Sequence, residues 1–178
     1  MDRGDLAFTL GLVGTMLIGL ISDSHGHADR VGLAMELLAA RNVDRYIHLG
    51  DIGGTDVLDA MQGHDVHIVF GNCDWVVETL RIRAEHLGLH VEHPLGRLVC
   101  GRKTVAFTHG HLDELMQVPL SEHVDYLCHG HTHLPRDERI QGTRVLNPGA
   151  LHAAQRYTVG LLDTTADTFE VLELDALP

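Results

Sequence analysis

Met16-Leu17-Ile18-Gly19-Leu20-Ile21-Ser22 runs directly into Asp23-Ser24-His25-Gly26-His27, and this join decides the fold. The first seven residues carry no charge and read as a buried strand. Polar residues and glycine then take over without a transition. Asp23 and His25 lie two apart, so on extended backbone their side chains leave one face and can aim at a single ion.

Moving outward, the same join recurs. Arg45 to Leu49 and Val66 to Phe70 are further short apolar strands. Between the first two strands, Asp29 to Arg41 is rich in Leu, Ala and Met and apolar over most of its circumference, which predicts a helix packed on a sheet. Asp56 to Met61 and Trp75 to His86 read as two more helices. From Leu89 onward the segments shorten. Strands are expected at His90 to His93, Arg97 to Cys100, Lys103 to Thr108, Tyr126 to Cys128, Glu138 to Gln141 and Arg144 to Leu146. A short helix is expected at Leu112 to Leu120 and a closing hairpin from Tyr157 to Leu174. No Pro- or Ser-rich linker and no internal repeat divides the halves. The reading is one α/β domain, residues 16–178, preceded by an extension over residues 1–15.

The chain of 178 residues is long enough to bury a sizeable core without disulfides. Its 25 acids against 13 bases give a formal net charge of −12, which repels polyanions and disfavours a nucleic-acid polymer as partner. Cys73, Cys100 and Cys128 form no C-x-x-C pair and are too few for a secreted disulfide framework, so a reducing, cytoplasmic setting is expected. Leu6 to Ser22 is uncharged, but its acidic-and-basic flank and short length argue against a signal peptide or a membrane span. The 15 histidines, set beside excess carboxylate, are the composition of a metal binder.

Position turns that composition into a site. Five strand-to-loop junctions read Asp23-Ser24-His25, Gly50-Asp51, Gly71-Asn72-Cys73-Asp74, His109-Gly110-His111 and Gly130-His131-Thr132-His133. Ligands of open α/β sheets bind beyond the carboxyl ends of strands, so these junctions would converge on one pocket. The glycine beside each polar residue permits a tight turn and close backbone approach. Any one triplet occurs by chance. Five in this order, each after an apolar strand, do not.

On these motifs the chain resembles the calcineurin-like metallophosphoesterase family, and within it the small bacterial and archaeal phosphodiesterases. The resemblance spans Met16 to about Leu174. It implies a four-layer α-β-β-α sandwich of two packed sheets flanked by helices. It also implies a binuclear centre in which Asp23, His25 and His133 hold one ion, Asn72, His109 and His131 hold the other, and Asp51 bridges them. The oxygen and imidazole donors, with no thiolate, suit Mn²⁺ first and Fe, Ni, Co or Zn next. Such a pair clamps a phosphoryl group and supplies a bridging hydroxide, which makes the expected activity hydrolysis of a small phosphodiester or nucleotide. Asp51, Asn72, His109 and His111 are the expected catalytic residues.

Two departures qualify the resemblance. Many members carry Asn-His-[DE] where this chain has Asn72-Cys73-Asp74, a form shared with the small phosphodiesterases. The general acid is therefore open, with His111 as its candidate and a supporting role behind the ligands as the alternative. The extended G-D-x-x-D-R-G of the protein phosphatases is missing its Arg, since the chain reads Gly50-Asp51-Ile52-Gly53-Gly54-Thr55-Asp56, so a phosphoprotein substrate is disfavoured. Asp74 is expected to orient Asn72 or His109. His27 and His129 adjoin ligands and either touch substrate or face solvent, and His48 is expected to be buried and hydrogen-bonded. The competing functions are a protein-interaction scaffold, as in the related retromer subunit, and a phosphatase acting on monoesters or dinucleoside polyphosphates. A homo-oligomer using the apolar stretch Leu6 to Thr15 is a further expectation, and whether Met1 or Met16 starts the natural chain is open.

Overall fold

The computed structural model describes residues 16–174; the extension and the Leu6 to Thr15 surface lie outside them. In chain order the elements are β1 (Leu17–Ile21), α1 (Ala28–Ala39), β2 (Arg45–His48), α2 (Thr55–Asp59), β3 (Val66–Ile68), α3 (Val77–His86) and β4 (His90–Val91). There follow β5 (Leu95–Cys100), β6 (Lys103–Thr108), α4 (Asp113–Ser121), β7 (Tyr126–Cys128), β8 (Arg136–Ile140), β9 (Thr143–Asn147), β10 (Thr158–Asp163) and β11 (Thr168–Glu173). Every expected strand and helix is present, with ends displaced by a few residues.

The strands form a six-stranded sheet, β11-β10-β1-β2-β3-β4, and a five-stranded sheet, β5-β6-β7-β9-β8. β1, β2, β3 and β4 run parallel, as crossover helices require. In the second sheet β6, β7 and β9 are parallel to one another. The parallel strands of each sheet therefore deliver their loops to a common edge.

Alternation along the strands builds the layers. Ile18, Leu20, Ile47 and Val69 of the first sheet meet Leu98, Val105, Phe107, Cys128 and Leu146 of the second in a shared core. Ile21, Tyr46, Val66 and Ile68 face the other way, against Val31, Met35 and Leu38 of α1, Val57 and Leu58 of α2 and Leu80 of α3. Ala106, Leu127 and Val145 do the same on the far side, against Leu120 of α4 and Val124. The result is the four-layer α-β-β-α sandwich. Cys100 and Cys128 are buried thiols within it, and all three cysteines are free.

Candidate metal centre

The five junctions meet at the carboxyl ends of β1, β2, β3, β6 and β7. Backbone hydrogen bonds stitch the first two loops together, from Asp23 N to Gly50 O at 3.1 Å, His25 N to Asp51 O at 2.9 Å and Gly26 N to Ile52 O at 2.8 Å. Gly130 N donates to His109 O at 2.9 Å and joins the loops of the second sheet. Two glycines are set by space alone. A Cβ on Gly71 would lie 2.1 Å from Asp51 Oδ1, and one on Gly130 would lie 1.9 Å from Ser22 Oγ.

The backbone is strained where the expected ligands sit. Asp23, His25, Asp51, His131 and His133 have φ of 53°, 43°, 53°, 67° and 59°, the left-handed region, which costs a non-glycine residue about 1–2 kcal/mol. Such strain concentrates where side chains must be aimed.

What they aim at is one another's lone pairs. Asp23 is wholly buried. Its Oδ2 accepts from Ser22 Oγ at 2.6 Å and His131 N at 3.1 Å, while Oδ1 has no hydrogen-bond partner and faces His133 Nε2 at 3.3 Å. Asp51 Oδ1 accepts from Cys73 N at 2.8 Å, and Oδ2 lies 3.4 Å from His25 Nε2 and 3.5 Å from His109 Nε2. His109 Nδ1 is 2.7 Å from the carbonyl of Leu49, which can only accept, so in the neutral ring the proton sits there and Nε2 keeps its lone pair. That lone pair meets Asn72 Oδ1 at 3.1 Å. His25 Nε2 is likewise buried without a partner.

Asp23, His25 and His133 bring donor atoms within 4.8 Å of one another, as do Asp23, Asp51 and His109. Carboxylate oxygens and the lone pairs of neutral imidazoles crowded in this way repel unless a cation lies among them, and the donor set is that of a divalent first-row ion. The residues therefore fit the group the family implies. His131 is less closely drawn in, with its ring centroid 5.2 Å from that of His109. Asn72 and His131 are exposed, on the open side, whereas Asp23, Asp51 and His109 form the floor.

The electrostatics agree. Burial pushes the Asp23 carboxyl up, against the pull of the Ser22 hydroxyl. Burial also opposes ionisation of Asp51, but the His109 ring, when protonated, and the Cys73 amide outweigh it and hold that carboxyl well below its ordinary range. Burial, then the Asp51 carboxylate, raises the Cys73 thiol, which makes it a poor nucleophile. Burial, followed by His109 and His131, lowers His111. The His111 ring lies 5.3 Å from His109 and 6.2 Å from His131, and its buried Nδ1 has no hydrogen-bond partner.

Several supporting residues differ from expectation. Asp74 reaches neither Asn72 nor His109; its oxygens accept from Gly53 N at 2.9 Å and Gly71 N at 2.8 Å, so it shapes the two glycine turns. His129 is 3 % exposed and does not face solvent. Burial lowers it to about 4, and its Nδ1 lies 3.0 Å from the Gly130 carbonyl and 3.4 Å from Asn147 Nδ2, with Arg136 Nη1 3.3 Å from Nε2. His48 is buried as expected, bonded to Ser24 Oγ at 2.9 Å, and burial lowers it to about 3. Asn147 pins the last loop by donating to Gly130 O at 2.8 Å and accepting from Gly149 N at 2.8 Å. His152, in no motif, packs its ring 4.8 Å from His25 and bonds His27 at 3.1 Å. Only the fold brings it there.

Comparison with known proteins agrees with this architecture. The calcineurin-like phosphoesterase superfamily domain matches residues 16–167. A phosphodiesterase of Methanocaldococcus jannaschii is 25 % identical over 168 residues, covering 90 % of this chain and 100 % of its own length. A probable metallophosphoesterase of the same organism is 34 % identical over 154 residues, covering 80 % of this chain and 71 % of its own. The solved structure of an archaeal phosphodiesterase superposes with a TM-score of 0.82 at 24 % identity, over 89 % of this chain and 100 % of that one. Vps29 of Entamoeba histolytica, solved with zinc, superposes with a TM-score of 0.59 at 18 % identity, over 90 % of this chain and 100 % of that one. The chain therefore belongs to the calcineurin-like phosphoesterase superfamily.

Proposed function

We propose that this protein is a metal-dependent phosphodiesterase acting on a small phosphodiester. The observation that supports this most is the convergence around Asp51 of Asp23 Oδ1 and His25 Nε2, both buried without a hydrogen-bond partner, and of His109 Nε2. In this reading Asp23, His25 and His133 hold one divalent ion, Asn72, His109 and His131 hold a second, and Asp51 serves both. Mn²⁺ is our first choice, with Fe, Ni, Co and Zn compatible with the same donors. Two such ions supply Lewis-acid charge to the phosphoryl oxygens and make water acidic enough to attack near neutral pH.

The chain's own residues do the rest. Leu49 O holds the His109 proton on Nδ1, and Cys73 N holds one oxygen of Asp51, so both present fixed lone pairs. His111 is our candidate to give a proton to the leaving oxygen. Burial, then the His109 and His131 rings, favours its neutral form, and a phosphate anion beside it would oppose that preference. A diester carries a second organic group, and a cavity of about 640 Å³ beside His133, walled by Leu134, Pro135 and Val171 with Arg156 at its rim, offers that group room. Three free thiols fit a reducing compartment, and no helix among the described residues is long and apolar enough to cross a membrane.

The test is elemental analysis of the purified protein followed by matched monoester, diester and dinucleotide substrates, with Asp51→Ala as the blank. We expect the diester rate to exceed the others, and ¹⁸O from labelled water to enter the phosphoryl product. Rates equal to the blank on every substrate would sink the enzymatic reading, and a trapped phosphoryl-enzyme would sink direct attack by water.

A further inference from the structure

At the other end of β3, away from this centre, Asp65, His67 and His90 converge. Asp65-Val66-His67 repeats, at the start of a strand, the Asp-x-His spacing that Asp23-Ser24-His25 shows at the end of one. His90 reaches the same point from the neighbouring strand, because it is the register partner of His67 in the parallel β3–β4 pair. The two rings stack with centroids 4.7 Å apart. Asp65 Oδ1 lies 3.4 Å from Nε2 of His67 and 3.4 Å from Nε2 of His90, and the three donor atoms fall within 4.8 Å of one another.

The state of His67 is what points to a ligand. Its side chain is 9 % exposed. Its Nδ1 lies 2.6 Å from Glu92 Oε1, and the other Glu92 oxygen is fixed by Arg97 N at 3.0 Å. A carboxylate only accepts, so in the neutral ring, the form that binds metal, the proton sits on Nδ1 and Nε2 is left with a lone pair. That nitrogen is buried and makes no hydrogen bond. Facing it is a carboxylate oxygen, a second acceptor. Arg45 Nε holds the other oxygen of Asp65 at 3.0 Å, which orients the carboxylate and offsets part of its charge without filling the space between the lone pairs. A carboxylate behind a histidine whose far nitrogen is bare is the arrangement that aims imidazole at a metal.

We propose that Asp65 Oδ1, His67 Nε2 and His90 Nε2 form a further metal site that takes one divalent cation of the zinc, nickel or copper class. Two imidazoles and one carboxylate without thiolate or additional oxygens favour these ions over Mg²⁺ or Ca²⁺. Donors bonded to one ion at about 2.0–2.1 Å and near-tetrahedral angles stand about 3.3 Å apart, which matches the separation of Asp65 Oδ1 from either ring. Asp65 and His90 are 40 % and 56 % exposed at their side chains, so water completes the shell and the ion enters from solvent. The ion would staple the two-residue edge strand β4 to β3, and it takes no part in phosphoester hydrolysis.

The test uses zinc. Full-length wild type, His90→Ala and, as an off-site control, His86→Ala are dialysed against buffered micromolar free zinc and analysed for bound metal. His90 and His86 are both exposed, so neither change threatens the core. We expect His90→Ala to hold one zinc fewer than wild type, with affinity for that ion down on the order of 10–100-fold, unchanged diester hydrolysis and an unchanged count in His86→Ala. Glu92→Gln should weaken the same ion, because it no longer fixes the His67 tautomer. Equal zinc in wild type and His90→Ala, or equal loss in His90→Ala and His86→Ala, would overturn the proposal. Because the readout is a difference in one ion between chains, it stands or falls apart from the phosphodiesterase reading.

Discussion

The two ends of the parallel strands treat aspartate in opposite ways. At the amino ends, Asp44, Asp65 and Asp125 immediately precede β2, β3 and β7, and each reaches across to the start of the neighbouring strand. Asp44 accepts from Leu17 N at 2.7 Å, Asp65 from Arg45 Nε at 3.0 Å, and Asp125 from Lys103 Nζ at 2.8 Å and Thr104 N at 2.9 Å. Here the protein supplies its own donors and, twice, its own counter-charge. At the carboxyl ends, Asp23 and Asp51 meet no lysine or arginine among the described residues; they face histidines instead. A buried carboxylate without a counter-charge is strongly unfavourable. Asp44 and Asp125 are therefore complete as folded, while in the proposed function the carboxyl edge is finished by a cation. Asp65 is intermediate, since one oxygen is paired with arginine and the other is turned to two imidazoles.

The most direct way to break this contrast is to remove a carboxylate from each edge. Asp51→Ala should lower the diester rate by about 10²–10³-fold or more, with loss of bound metal, because one oxygen of Asp51 faces both His25 at 3.4 Å and His109 at 3.5 Å. Asp44→Asn should leave the rate unchanged. A small loss in the first, or a comparable loss in the second, measured by steady-state kinetics with elemental analysis, would erase the distinction between the edges.

A smaller effect is expected from crowding the carboxyl edge without touching a charge. A methyl group on Gly71 cannot coexist with Asp51 where it stands, since it would lie 2.1 Å from Oδ1 and 2.6 Å from the backbone nitrogen. Gly71→Ala should cost about 1–3 kcal/mol of stability and about 10²-fold in rate. Denaturant titration beside kinetics separates the two losses, and a variant with full activity would mean that Asp51 need not be held.

Next in size is the support behind the turns. Asp74 uses both oxygens on backbone N–H groups, so Asp74→Asn loses one bond and turns an amide N–H against another. A 10–100-fold fall in rate with weaker metal affinity is expected, the cost typical of a residue that positions ligands. A change confined to stability, with metal affinity intact, would reduce Asp74 to a loop anchor.

These cases also mark what the sequence could and could not convey. Buried strands read as apolar runs and their loops as polar clusters, so the β1 to Asp23 join, the layer order and the five junctions were legible from Met16-Leu17-Ile18-Gly19-Leu20-Ile21-Ser22 outward. Partners chosen by sheet register were not. Asp65-Val66-His67 is visible as a triplet, yet nothing in the chain announces that His90 stands opposite His67. His152 reaches His25 across more than a hundred residues for the same reason, and Asp74 seemed a partner for its neighbour Asn72 when its bonds run instead to Gly53 and Gly71. The left-handed backbone at Asp23 and Asp51 was equally hidden, because both residues are common where φ is negative.

The smallest expected effect lies at the amino edge and tests whether it is self-sufficient. Burial alone would raise the Asp125 carboxyl, but the Lys103 ammonium and the Thr104 amide outweigh it and hold the group below its ordinary range. A depressed folded-state value means that the unfolded chain binds the proton more readily. The contribution is therefore present in full above the ordinary carboxylate value of 3.8 and is lost as pH falls through the lower folded value. The Asp125 and Lys103 side chains are 31 % and 43 % exposed, so solvent screening keeps the pair to about 1 kcal/mol or less. Asp125→Asn should be less stable than wild type by that amount at pH 7 in denaturant titrations, and the gap should close as the titrations are repeated toward pH 2. Diester hydrolysis and metal content should not change. A gap that stayed constant with pH would show that Asp125 acts through hydrogen-bond geometry and not through charge, and the amino edge would then owe its completeness to the backbone donors that Asp44 already uses.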